Sequence, residues 1–170
     1  MITPDMADII LDAIDSKLID LHTAMPGKVQ SFNSTTHTAE IEPQIKRMIQ
    51  SETGQPYYES LPVLPAVPVL FLRTKDFYLY LPVSEGDTGL LVFNETSIDQ
   101  WRDRGSVSNP CDTGRHTLTA AVFIPGLFSS GNELTDAAGS GLKLGEQGKG
   151  FIEIKSGGQV NINNNLTVDK

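Results

Sequence analysis

The spacing of apolar positions changes along this chain. Met6, Ile9, Ile10, Ala13, Ile14, Leu18 and Leu21 recur at helical spacing and predict a helix over residues 3–21. Thr3 is placed to cap it, Pro4 suits its first position and Asp5 its first turn. The stripe faces either a core or a partner subunit. Pro26-Gly27 ends the segment, and the period then falls to two. Val29 and Phe32 flank a short strand. Ala39, Ile41, Ile45 and Ile49 then share one face, with Glu40, Glu42, Gln44, Lys46 and Gln50 on the other. Pro43 interrupts that run, which predicts an edge position or a bulge. Residues 51–62 read as loop, and Val69 to Leu72 as a strand apolar on both faces and buried. Phe77, Leu79 and Leu81 alternate with Tyr78 and Tyr80; residues 82–88 form a turn, and Leu90 to Phe93 make another buried strand. Thr96 or Ser97 can cap a short helix holding Trp101, and His116 to Ile124 gives the last strand before Pro125-Gly126.

About five short strands punctuated by Gly and Pro, with a helix before the last, predict a mainly β fold. The expected architecture is an N-terminal helix over 1–24 and a five-stranded Greek-key barrel of the oligonucleotide/oligosaccharide-binding (OB) type over 25–128. Its expected core is Ile41, Ile45, Val69, Phe71, Leu79, Leu91, Phe93 and Val122. Residues 129–150 are small, polar and rich in Gly, and read as a linker.

Residues 151–170 alternate again. Ile152 and Ile154 oppose Glu153 and Lys155; after a Gly157-Gly158 turn come Val160 and Ile162, then Leu166 and Val168. Each pair offers only a narrow apolar face, and no strand earlier in the chain is an obvious partner. Closed association of three identical chains answers both problems, with Ile152, Ile154, Val160, Ile162, Leu166 and Val168 inside a prism at the start of an intertwined trimeric β-helix. A hairpin folded back on the barrel is the alternative.

Charge narrows the partners. The net charge is −8, which disfavours nucleic acid and electrostatic docking on anionic lipid. The single cysteine, Cys111, excludes an internal disulfide. No secretory signal pattern and no apolar run of about 18 residues is present, so synthesis in a cytoplasm is expected.

Chemistry-bearing patterns are weak. His22, His37 and His116 lie in three separate segments without a second ligand at metal spacing. No serine sits in a nucleophile elbow. Gly139-Ser140-Gly141 with Gly145 lacks the strand and helix that a dinucleotide loop needs. Glu85 and Asp87 flank a Gly86 turn, where acidic residues serve the turn, and Glu95 stands apart. Tyr57, Tyr58, Tyr78 and Tyr80 could stack on bases, but the cations beside them (Lys46, Arg47, Arg73 and Lys75) are too few. No catalytic residue, metal site or cofactor is expected, and a structural role is favoured.

The order of these blocks then becomes specific. The N-terminal helix leading into DLHTAMPGKVQSFN, the runs AEIEPQIKRM, LPVLPAVPVLF and YLPVSEGDTGLLVFNETSIDQW, and the short-strand tail together resemble the central-spike, membrane-piercing proteins of contractile-tailed bacteriophage baseplates. The stretch from Pro82 to Phe93 carries the likeness best. The resemblance implies a homotrimer in the virion, seated on baseplate hub proteins, whose β-helix is driven through the host outer membrane when the sheath contracts. It implies no catalysis. Family members often end in a tip with an iron-binding histidine pair; no histidine follows His116, so a separate spike-tip protein or a further segment would supply it. The competing readings are an OB-fold module for glycan or single-stranded nucleic acid, and a cell-wall hydrolase.

Overall fold

A computed structural model describes residues 5–19, 21–51, 55–137 and 139–163. It divides into two compact units, 1–127 and 128–170. Thr3 and Pro4 of the predicted helix start, and Leu166 and Val168 of the predicted tail, lie outside the described residues.

The first unit opens with α1 (Met6–Ile19). Asp5 caps it. Its carbonyl accepts from the Ile9 N–H at 3.1 Å, and its own N–H donates to the Asp8 carboxylate at 3.2 Å. This is the back-bonding half of a capping box with Asp in place of Glu, while the Asp5 carboxylate accepts from the Met6 N–H at 2.7 Å. No residue of α1 is buried.

Five strands then build an antiparallel sheet that curls into a half-barrel. They are β1 (Ala24–Asn33), β2 (Thr38–Pro43), β5 (Leu64–Pro68), β8 (Thr88–Phe93) and β9 (Ala121–Pro125). The order across the sheet is β5-β2-β1-β8-β9. β1 is long enough to pair twice, with β8 through Ala24 to Lys28 and with β2 through Gly27 to Asn33. Register shifts at Val29/Ser31 and at Ala39/Ile41 bend the sheet. Its two outer strands approach each other at one parallel bridge, Val69 with Phe123, where the Leu70 N–H donates to the Phe123 carbonyl at 2.8 Å. Gly27 and Gly89 face each other in the β1–β8 register. Neither site has room for a Cβ: at Gly89 it would lie 2.4 Å from the Ile124 carbonyl oxygen, and at Gly27 2.6 Å from the Ile41 side chain.

Val29, Ile41, Leu91 and Phe123 are wholly enclosed, and Ala39, Leu64, Val67, Val69, Val83 and Phe93 complete the core around them. Phe71 is partly buried against this cluster. Three expected core residues lie elsewhere. Ile45 is exposed, because Pro43 ends β2 and the chain bends away before a separate hairpin of β3 (Arg47–Gln50) and β4 (Pro56–Glu59). That hairpin also puts a strand into the predicted loop 51–62. Leu79 is exposed on a second hairpin, β6 (Leu72–Arg73) with β7 (Tyr78–Leu79). Val122 is half-buried, since alternation along β9 turns Ala121 and Phe123 inward. Leu72, expected inside, is exposed; the buried strand lies earlier, over Leu64–Pro68. The short helix α2 (Asp99–Arg104) precedes a single 3-10 turn at Leu118–Ala120.

The second unit contains three strands: β10 (Leu142–Gly145), β11 (Phe151–Ile154) and β12 (Val160–Asn163). They form an antiparallel meander in that order. β10 occupies part of the predicted linker 129–150. Its Leu142-Lys143-Leu144 alternation is short and is masked by the surrounding glycines.

Candidate functional site

The feature of the second unit is a sheet with its sides reversed. Register places Leu144, Ile152 and Ile162 in one row across the three strands, and Leu142, Ile154 and Val160 in the next. Period two puts all six on one face. Every one is exposed, from 41% at Ile162 to 66% at Leu142. The opposite face carries Lys143, Glu153 and Asn161 in one row, with Phe151 and Asn163 in the other.

That polar face is the covered one. The Lys143 ammonium bonds the Asp136 carbonyl at 2.5 Å, pairs with its carboxylate at 3.2 Å, and sits 4.2 Å from the centre of the Phe151 ring. Gln147 donates to the Thr135 hydroxyl at 3.1 Å. The segment before β10 therefore straps the polar side and leaves the apolar side open. An aliphatic face of this kind costs free energy in water in proportion to its area, and a three-stranded sheet needs its apolar face packed.

The tail strands thus have partners within their own chain, contrary to expectation. β11 is paired along both edges, through Leu142↔Ile154 and Ile152↔Ile162 among others. The turns that allow this are Glu146 to Gly150 and Lys155 to Gln159, closed by backbone bonds of 3.2 and 2.9 Å. Gly148, Gly157 and Gly158 supply left-handed backbone there. Within one chain these residues form a three-stranded sheet with one face unfilled, and a trimeric β-helix is not seen in it.

Asp136 is held below the ordinary aspartate range, first by the Gly148 N–H that it accepts and then by Lys143. A depressed folded pKa contributes stability that is present above the unfolded value and is lost as pH falls through the folded one. Acidification below the ordinary aspartate range is therefore expected to loosen the strap. A carbon-detected NMR titration should place the Asp136 midpoint below that of an unstructured aspartate, and Lys143→Met should move it upward. An unmoved midpoint in Lys143→Met would remove Lys143 from this account.

The first unit holds no comparable chemical constellation. Among the described residues no group of three or more His, Cys, Asp or Glu side chains is placed to hold a metal ion. His22 packs on Phe93, His37 on Phe71 and Tyr80, and His116 Nδ1 lies 3.2 Å from the Phe93 carbonyl oxygen. The Asp87 carboxylate accepts the Ser84 N–H at 2.8 Å, a turn role, and Glu95 pairs with Arg115. A cleft of about 740 Å³ is lined by His37, Phe71, Arg73, Lys75, Tyr78 and Tyr80, with Asp76 as its one carboxylate. Paired-carboxylate glycoside chemistry has no seat there. No helix among the described residues is long and apolar enough to cross a membrane.

Compared with known families, residues 25–126 match the model of the phage protein Gp138 N-terminal domain. The match begins after α1 and spans the five-stranded sheet from Met25 onward. No curated protein matches the chain.

Proposed function

The chain belongs to the phage protein Gp138 N-terminal domain family, a family of phage structural domains, and on that premise we propose that it is the central spike of a contractile tail baseplate, acting as a homotrimer. The observation that carries this reading is the open face of the second unit. Six aliphatic side chains lie in two rows on one side of a sheet whose polar side is already strapped. Three such sheets facing a common axis close a dry prism and leave no apolar side in water. Three copies thereby bury what one cannot.

The barrel reading agrees with the strand order. Passing from β1 through β2 and β5, across the parallel Val69–Phe123 bridge to β9 and then β8, returns to β1. An OB barrel follows the same circuit, which supports that reading. Here a hairpin, β6–β7, occupies the connection between the third and fourth barrel strands, and α2 lies between the last two.

In this role the protein makes and breaks no bonds. It bears on baseplate hub proteins, transmits the push of the contracting sheath, and passes through the host outer membrane, with a separate tip protein or a further segment at its point. A net charge of −8 limits adhesion to anionic envelope lipid. Sedimentation equilibrium of the full chain is expected to give three times 18.5 kDa. A mass of one chain at micromolar concentration would sink the proposal.

A further inference from the structure

α1 is also the wrong way round for a helix that serves its own core. Asp12, Asp15, Ser16 and Ile19 line a shallow cleft with Arg47, Met48 and Ile49 of β3. The acidic side therefore turns toward the rest of its own unit. An amphipathic helix docked on its own domain does the reverse. Leu11, Ile14 and Leu18 are 49–59% exposed, and α1 has no buried residue at all. A helix of 14 residues is marginal alone in water and draws its stability from packing.

The sequence states what kind of packing fits. Ala7, Leu11, Ile14, Leu18 and Leu21 are spaced by four, three, four and three residues. That is the a/d repeat of a coiled coil. Leu21 continues it past the end of α1, its N–H donating to the Leu18 carbonyl at 3.1 Å. Leu11 and Leu18 take the a positions, with Ile14 at d between them. Leu at a with Ile at d disfavours two strands and favours three or four. Asp5, Asp8, Asp12 and Asp15 repeat at the same period on another side. The competing seam through Met6, Ile10 and Ala13 runs on to Lys17 and would bring ammonium groups together.

We infer that α1 is a second self-association seam, whose partners are the α1 helices of two further copies in a parallel three-helix coil. The inference rests on the trimer reading for its number of strands, while its register comes from α1 alone. α1 lies outside the residues matched to the family.

Cysteine cross-linking of the full chain tests it. Cys111 is exposed and is first replaced by Ser. Leu18→Cys then places thiols around the axis, and Ser16→Cys places them on the side facing β3. Neither residue belongs to the core, so both variants keep the barrel. Oxidation should give a covalent dimer about tenfold faster for Leu18→Cys than for Ser16→Cys, because the seam raises local thiol concentration. Equal rates in a protein that sediments as a trimer would overturn the seam and leave the spike reading standing. Such a result is also what a helix seated in a hub-protein groove would give. A mass of one chain overturns both. Fast Leu18→Cys cross-linking in an Ile154→Asp background that remains trimeric supports the seam and overturns the role of the tail face.

Discussion

Ile154→Asp should convert the proposed trimer into single chains while leaving the first unit folded. Ile154 sits at the middle of its row, between Leu142 on β10 and Val160 on β12. In three facing sheets it comes closest to the axis. One carboxylate on an open surface costs little, but three in a dry core lack counter-ions, and burial of each costs several kcal/mol. Sedimentation should show the mass falling to about a third at micromolar concentration. Far-ultraviolet circular dichroism and the first unit's melting transition should be unchanged. If the mass does not move even when Leu18→Asp is added to disable the α1 seam, the apolar face serves something other than self-association.

Phe123→Ala should give the largest loss of stability in the first unit, about 3–5 kcal/mol. Phe123 is wholly enclosed, touches the space beside Gly89, and lies on the strand that meets the other end of the sheet. Removing its ring leaves a cavity that a curled sheet held on several sides fills poorly. Since a whole domain is stable by about 5–15 kcal/mol, the urea midpoint should drop by about a fifth of its value or more. Val122→Ala, one residue away and half-buried, should cost far less. Equal losses at the two positions would contradict the register of β9.

The contrast between those neighbours shows where sequence reading succeeds. β8 and β9 are both legible as buried strands, but Leu90-Leu91-Val92-Phe93 and Ala121-Val122-Phe123-Ile124 are apolar at every position, so period two leaves no mark in either. Which residues turn inward is set by the pairing of the two strands, which brings Leu91 opposite Phe123 and Phe93 opposite Ala121. Ile45 fails for a different reason. It continues the alternation of β2 perfectly, but Pro43 has no N–H to offer the ladder, and the chain leaves the sheet there. Leu79 is apolar and alternating, yet its hairpin stands off the core, a tertiary fact with no local signal.

The candidate site was legible in composition but not in pairing. Ile152, Ile154, Val160 and Ile162 share a face, as their spacing requires. Leu142 and Leu144 leave little mark in the sequence, since a two-residue alternation among glycines resembles a linker. They change the physics of the unit: they widen the apolar face from two strands to three and satisfy the edge of β11 within one chain. The strap through Lys143 and Asp136 depends on residues seven apart meeting across a loop, which spacing alone does not signal.

The two ends of the curled sheet meet at a single parallel bridge, between residues just beyond β5 and within β9. Four antiparallel ladders hold the rest of the sheet. This meeting point rests on one bridge and the bond from Leu70, which can part without unpairing any ladder. The Leu70 amide is therefore expected to exchange with solvent sooner than the amides of the β1–β8 ladder, even though the side chains beneath it stay packed.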